Sequence, residues 1–364
     1  MQYAPADLQY ENNFVPTWHP LRGHLVMSAT IHSLNADRNN QVDKSKRDGG
    51  PNRRETLKIA AGALLPTLVP NLAAGQSART KIVLLGTTGG PPLTVMRAAP
   101  SNAVLVGGAL YVIDCGNGVA RQIVQAGLRL SALKSIFITH QHSDHNLDYG
   151  NLFYLAWYAG LHGQVNSYGP PPLAEMTKKF FELNAFDIDI RIRDEGRHDP
   201  RQLLVPHEIM SAGIVMQDDN VKVTCALADH PPLPVALSYR FDTADRSVVF
   251  SGDTRKTDAL INLAKGADVF VCEAQYLPGI EEVLQRAVKA GYDKDIADSL
   301  LRSISGNALT VEQAGEVAQA AGVKTLVLTH FVPGNGAVPE QVFVEEARKA
   351  FSGEIIAGRD LLEI

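Results

Sequence analysis

The feature that most constrains this chain is a group of histidines at the end of an apolar segment. Residues 135–139 read as a buried strand, and the next six residues are His140, Gln141, His142, Ser143, Asp144 and His145. Alternate residues of an extended chain face the same side, so His140 and His142 are predicted to share one metal ion. Asp144 and His145, beyond a turn, are predicted to hold a second. Such donors suit zinc, while manganese and iron stay open as alternatives.

Two pairs of side chains do not complete two metal sites, so further ligands are expected farther along the chain. Three polar residues stand just beyond segments that read as apolar strands, namely His230, Asp253 and His330. The other histidines after residue 80 stand in polar loops and are expected to be solvated, with His162 as a weaker pocket candidate.

The spacing of apolar residues predicts a layered α/β domain over residues 79–364. Short apolar runs that favour strands occur in two groups, and helix-like stretches follow each group. Gly107 and Gly108 separate two such runs and predict a tight hairpin. Residues 147–200 are predicted to be mostly helical. Sheets covered by helices on their outer faces fit this order.

The first 78 residues differ from the rest. Residues 1–52 are polar and expected to be disordered, and Met27 is an alternative start. Arg53 and Arg54 precede a 16-residue apolar run at 59–74 that contains two prolines. A helix of that length, roughly 24 Å, is too short to span a bilayer. Residues 53–78 resemble a twin-arginine export signal, which predicts a periplasmic or secreted protein with no membrane span.

Charge and cysteine content narrow the function further. The chain has 34 Lys and Arg against 39 Asp and Glu, for a net charge of −5. The basic residues are scattered, so a nucleic-acid partner is not expected, and a small-molecule substrate is predicted instead. Three cysteines lie far apart in apolar surroundings and are predicted to be buried free thiols.

Five short motifs together resemble the metallo-β-lactamase superfamily. They are Leu85–Thr87, Ile113–Gly116, His140–His145, Ser251–Thr254 and Leu328–His330. The last two are most similar to the branch of tRNase Z, cyclic phosphodiesterases and zinc arylsulfatases. The resemblance implies a four-layer αβ/βα sandwich with two zinc ions. It assigns the first ion to His140, His142 and His230, the second to Asp144, His145 and His330, and a bridging role to Asp253.

The resemblance also implies a reaction class. Two zinc ions and two aspartates leave a positive site, where a metal-bridging hydroxide acts as nucleophile and Asp144 and Asp253 act as catalytic residues. The expected function is hydrolysis of a small-molecule ester, arylsulfatase-like or phosphodiesterase-like, on an anionic or aryl substrate. A lactonase or β-lactamase type hydrolase is the alternative. Iron redox chemistry and metal binding without catalysis are further alternatives, and relatives imply a homodimer.

Two departures from the branch refine this expectation. Tyr239 and Ser251 are only 12 positions apart, so a short hairpin is predicted where tRNase Z carries its tRNA-gripping arm. Ala308 replaces the histidine expected two residues before the helix cap at Thr310, which favours substrates with good leaving groups. The nearby aromatic residues Phe153 and Trp157 are predicted to form either a core stripe or an apolar substrate pocket.

Overall fold

The computed structural model of the protein describes residues 79–364. The predicted extension at 1–52 and the predicted export segment at 53–78 lie outside these residues. Between residues 79 and 364, none of the helices has both the length and the apolar character needed to cross a membrane.

The first sheet has seven strands in the order β14-β1-β2-β3-β4-β5-β6. Its antiparallel part includes the hairpin predicted at Gly107 and Gly108, which the structure confirms. Its parallel part runs from the third strand to the sixth. The strands are β1 Lys81–Gly86, β2 Ser101–Val106, β3 Ala109–Ile113, β4 Leu133–Phe137, β5 Val165–Gly169, β6 Leu204–Glu208 and β14 Leu362–Glu363.

The second sheet also has seven strands, in the order β13-β12-β11-β10-β9-β8-β7. The seventh to tenth strands are antiparallel, and the tenth to thirteenth are parallel. All seven residues of the eleventh strand are buried, as expected for a parallel strand covered on both faces. The strands are β7 Gly213–Gln217, β8 Val221–Ala228, β9 Ala236–Thr243, β10 Ser247–Phe250, β11 Val269–Gln275, β12 Thr325–Val332 and β13 Glu354–Ala357.

Ten α-helices and two short 3-10 helices connect the described strands. The 3-10 helices are Leu130–Ala132 and Pro200–Gln202. The α-helices are α1 Val119–Gln125, α2 Ser143–Asn146, α3 Tyr149–Tyr158, α4 Leu173–Leu183, α5 Ala185–Glu195, α6 Asp258–Ala264, α7 Leu277–Lys289, α8 Lys294–Asn307, α9 Val311–Ala321 and α10 Glu340–Arg348.

Three buried clusters hold four layers together. Ile82 and Leu84 pack between the two sheets, while Val83 and Leu85 on the other face of β1 pack among residues of α1, α3, α4 and α5. This alternation follows from the two-residue period of a strand. A third cluster joins the second sheet to α6, α9 and α10. The predicted four-layer αβ/βα sandwich is therefore confirmed.

Several sequence-based element boundaries need correction. The strand predicted at 135–139 is β4 and ends at Phe137. The region predicted as mostly helical contains β5, whose sequence Val-Asn-Ser-Tyr-Gly has little β-branched character. Two further strands, β6 and β7, were missed because they are sheet edges, where polar residues and Pro206 are tolerated. The short β9–β10 hairpin that the sequence predicts is confirmed.

Candidate metal centre

All seven predicted ligands lie at one edge where the two sheets meet. His140 follows β4, His230 follows β8 and Asp253 follows β10, each within three residues of the strand end. β8 and β10 run in the same direction because both pair antiparallel with β9, and β4 lies in the parallel part of the first sheet, so the carboxyl ends of these strands place residues distant in sequence close together. The remaining members of the group are His142, Asp144, His145 and His330.

The first predicted trio forms a close cluster of ring nitrogens. Nε2 of His140 lies 3.1 Å from Nδ1 of His142, and Nε2 of His230 lies 3.1 Å from the same Nδ1 atom. Three imidazole nitrogens that face one another across such short distances have the arrangement of ligands around a single cation.

The second predicted group is equally close. Nε2 of His145 lies 3.2 Å from Nε2 of His330, and Oδ2 of Asp144 lies 3.5 Å from both atoms. Oδ1 of Asp253 lies 3.4 Å from His145 Nε2 and 3.3 Å from His330 Nε2. Asp253 also groups with His140 and His145, so it lies between the two trios, as the predicted bridging role requires.

The other ring nitrogens of three of these histidines contact neighbouring groups. Nδ1 of His145 contacts Oδ2 of Asp114 at 2.8 Å, and Nδ1 of His230 contacts the backbone oxygen of Asn307 at 2.7 Å. Thr139 Oγ1 lies 3.0 Å from Nδ1 of His140. Such contacts fix the ring orientation and the tautomer of metal-binding histidines.

His330 reaches the site through a bulge in β12 rather than from beyond the strand end. The pairing of β11 with β12 passes from Glu273–Thr329 to Ala274–Phe331, so His330 has no partner in the ladder. Its φ of 48° is in the left-handed region. A bulge redirects a side chain out of the regular alternation, and here it turns the imidazole toward Asp144. The expectation that His330 stands just beyond the end of its strand was therefore wrong.

Burial and charge set the ionisation of the donors. Burial lowers the pKa of His140 and of His142, which keeps both imidazoles neutral and able to bind a cation. Burial alone would raise the pKa of Asp253, but the neighbouring His330 and His145 hold it well below its usual range. Asp253 is therefore ionised at neutral pH.

His145 has the opposite shift. Burial would lower its pKa, but the carboxylates of Asp253, Asp114 and Asp144 outweigh that effect and raise the pKa well above its ordinary value. The pKa of Asp144 is lowered mainly by His145 and His330, against the effect of burial. In the absence of a metal, a protonated imidazole thus supplies part of the positive charge that this anionic cluster requires.

Unsatisfied polar atoms show that the donor set fits cations. Among residues 79–364, Oδ1 of Asp253 and Oε2 of Glu273 are buried and have no hydrogen-bond partner. A buried polar atom left without a partner costs stability, on the order of 1–3 kcal/mol, unless a ligand satisfies it. The five histidines of the two trios, with Asp144 and Asp253, match the chemistry of zinc. The role of all seven residues as ligands stays a prediction.

Sequence reasoning missed Glu273. This buried residue of β11 accepts the backbone N–H of Thr254 at 2.6 Å and of Leu309 at 3.3 Å. Burial raises the pKa of Glu273 well above its usual range. A carboxylate in an otherwise apolar parallel strand was the available signal, because such residues are rarely buried without a specific role.

A cavity of about 540 Å³ opens onto the metal centre. Its apolar wall comes from α7 and α8, which the sequence analysis did not connect with the site. Phe153 and Trp157 are buried beneath the first sheet and do not line this cavity, so they form the predicted core stripe. His162 lines a separate depression beside Trp157.

Comparisons with known proteins agree with this architecture. The family model of the "Beta-lactamase superfamily domain" matches residues 110–331. The chain is 32% identical over 284 residues to Ribonuclease Z of Mycobacterium bovis (strain BCG / Pasteur 1173P2), covering 77% of this chain and 96% of that protein. It is 34% identical to Ribonuclease Z of Mycobacterium sp. (strain KMS), covering 77% and 94%. The metallo-β-lactamase fold protein YhfI from Bacillus subtilis superposes with a TM-score of 0.58 at 20% identity, covering 78% of this chain and 98% of that one.

These relatives overturn two sequence-based expectations. Proteins similar over almost their whole length are named ribonucleases, so the prediction of a small-molecule ester hydrolase, with its lactonase alternative, was wrong. The prediction that nucleic acid is not a partner was wrong for the same reason. Net charge summed over a whole chain does not report the local field at a metal centre, so it could not exclude a nucleic-acid partner.

Proposed function

The chain belongs to the β-lactamase superfamily and is a hydrolase of the metallo-β-lactamase fold, and on this basis we propose that it cleaves phosphodiester bonds in RNA with two zinc ions. One observation carries the proposal: the similarity to Ribonuclease Z extends over 96% of that protein's length at 32% identity. The paired donor trios support it, because two-metal centres are common in enzymes that hydrolyse phosphate esters.

The proposal assigns the two ions to residues that already lie together. His140, His142 and His230 hold the first ion, and Asp144, His145 and His330 hold the second. The carboxylate of Asp253 would help to hold both ions. Bound there, zinc supplies Lewis acidity, which activates water and stabilises the charge that develops on the phosphate.

The chain's own residues would orient the reacting groups and the side chains that hold the ions. Asp144 is ionised at neutral pH and lines the cavity, so its carboxylate would orient the reacting groups there while Oδ2 faces the imidazoles of His145 and His330. The backbone N–H of Gly90 donates to the same Oδ2 at 3.0 Å and fixes the carboxylate orientation. The carboxylate of Asp114 fixes the orientation of the His145 imidazole in the same way.

The direct test uses the full chain with added Zn²⁺ and an end-labelled single-stranded oligoribonucleotide. We expect metal-dependent cleavage, with the position of the cut mapped by gel or mass spectrometry. A folded tRNA with a 3′ extension and a DNA oligonucleotide of matching sequence serve as comparison substrates. His142→Ala removes a ligand, while His207→Ala changes an exposed histidine of β6 and serves as the matched control.

Cleavage by wild type and His207→Ala, with loss of activity in His142→Ala, supports the proposal. Absence of RNA cleavage by a zinc-loaded, folded chain contradicts it. Equal cleavage by the His142→Ala variant also contradicts it, because the activity would then come from another site or from a contaminating nuclease.

Residues 53–78 carry a separate proposal, that the chain is exported through its twin-arginine segment. Support comes from the order of Arg53 and Arg54, an apolar run and small residues. Cell fractionation, with mass spectrometry of the mature N-terminus, tests it. A chain that retains Arg53 and stays in the cytoplasm contradicts it.

A further inference from the structure

The cavity above the metal centre has two chemically different sides. One side carries the donors His142, Asp144, His230, Asp253 and His330. The opposite side is formed by Ile280, Val283 and Leu284 of α7 with Leu300 and Ile304 of α8. A substrate that fills this space therefore presents an anionic group to one side and an apolar surface to the other.

Positive charge is missing from this cavity within the described part of the chain. No lysine or arginine lines it, although phosphate contacts in RNA-binding proteins normally come from such residues. Arg255, on the loop next to His230, is paired with Asp229 at 3.4 Å. The cavity is therefore unsuited to hold several phosphates of an extended backbone.

Gln275 adds a polar side chain whose oxygen lacks a hydrogen-bond partner among the described residues. This residue of β11 is only 6% exposed, it lines the cavity, and its Oε1 has no hydrogen-bond partner among the described residues. A side-chain amide offers one acceptor oxygen and two N–H donors. These groups can pair with the donor and acceptor atoms on the edge of a nucleobase. Burying such a group without a partner costs stability unless a bound molecule satisfies it.

We propose that this cavity binds the nucleobase next to the scissile phosphate, with the base packed against the α7–α8 wall and its edge hydrogen-bonded to Gln275. The inference rests on the proposed ribonuclease function and specifies its substrate as an unpaired RNA end. A base inside a helix is stacked and paired, so only a single-stranded nucleotide exposes both its face and its edge.

The test compares two oligoribonucleotides that differ at one nucleotide. One carries a normal base beside the mapped scissile bond, and the other carries an abasic ribose there. We expect the abasic substrate to have a KM about tenfold higher with the wild-type full chain, because apolar contact and a hydrogen bond are lost. The kcat should change less, since the base does not touch the reacting atoms.

Three variants separate base binding from general damage. Leu300→Ser and Gln275→Met should reduce the tenfold difference to about twofold, chiefly by raising the KM of the normal substrate. Ile296→Ser is the matched control, since Ile296 lies one turn earlier on α8, is exposed and does not line the cavity. It should retain wild-type discrimination. Zinc content of every variant checks that the metal centre is intact.

The outcomes are distinguishable from failure of the proposed function. If neither oligonucleotide is cleaved, the ribonuclease proposal fails. If both are cleaved with the same KM, RNA cleavage stands and base binding in this cavity is overturned. Discrimination that survives in Leu300→Ser and Gln275→Met also overturns it, because the base would then be bound elsewhere.

Discussion

The carboxylate of Asp114 holds the imidazole of His145 by a 2.8 Å contact between Oδ2 and Nδ1. The same carboxylate accepts the backbone N–H of Thr139 at 2.8 Å, so it connects the end of β3 to the loop that carries the histidine motif. Asp114 has a φ of 62°, an uncommon value for a residue other than glycine. This residue therefore positions the metal centre without reaching the cavity itself.

Asp114→Asn is expected to lower zinc affinity about 10- to 100-fold, because His145 loses a charged partner that fixes its tautomer. Competition with a chromophoric chelator measures this affinity. Asp189→Asn, which changes an exposed carboxylate paired with Arg201, is the control. Unchanged affinity in a folded Asp114→Asn variant would show that the carboxylate does not support the metal centre.

Gly89→Ala should disturb one half of the centre. A Cβ atom at this position would lie 2.5 Å from Nδ1 of His330 and 2.5 Å from Cγ2 of Val332, so the imidazole has to move. We expect bound zinc to fall from about two ions per chain to about one, as measured by elemental mass spectrometry. Gly163→Ala, where a Cβ atom meets nothing within 4 Å, should keep both ions. Two ions in Gly89→Ala would contradict the assignment of His330.

Ala308→His should raise kcat on RNA by about tenfold or more, because it adds a proton donor for the leaving oxygen at the cavity wall. The side chain of Glu273 lies next to this position, since its Oε1 accepts the backbone N–H of Leu309. The pH profile of kcat should gain a limb that falls above the imidazole pKa. Ala308→Asn is the size-matched control, and equal kcat in the two variants would contradict the prediction.

Zinc uptake by the metal-free protein should release about one proton per chain at pH 7. The raised pKa of His145 keeps it protonated before metal binds, and a ligand nitrogen has to give up its proton. Apparent affinity therefore falls as the pH is lowered. Calorimetry in buffers of different ionisation enthalpy measures the release, and a value near zero would show that His145 binds no metal.

The sequence was sufficient to predict the layers, and it named seven residues that the structure brings close together. Strand-end residues such as His230 and Asp253 stand out because a polar residue directly after an apolar run is unusual. The strands before them, β8 and β10, end at the same edge because both pair antiparallel with β9. The bulge that turns His330 inward was not predictable, since it depends on how β11 and β12 pair. The edge strands β6 and β7 were also missed, because their pattern is too polar to distinguish from loops.

The cavity wall and the substrate class depended on information beyond sequence pattern. Leu284 and Leu300 lie on α7 and α8, and only the packing of these helices over the centre shows that both residues face the cavity. Whole-chain charge gave the wrong partner, because the metal centre sets the local charge that a phosphate meets.

The proposed ribonuclease function is tested most simply by cleavage of a single-stranded oligoribonucleotide by the full chain, measured together with the zinc content of the same sample. We expect about two zinc ions per chain. RNA cleavage should stop when a chelator removes these ions and return when Zn²⁺ is restored. A chain that carries both ions and leaves RNA intact would contradict the proposal that it cleaves RNA with two zinc ions.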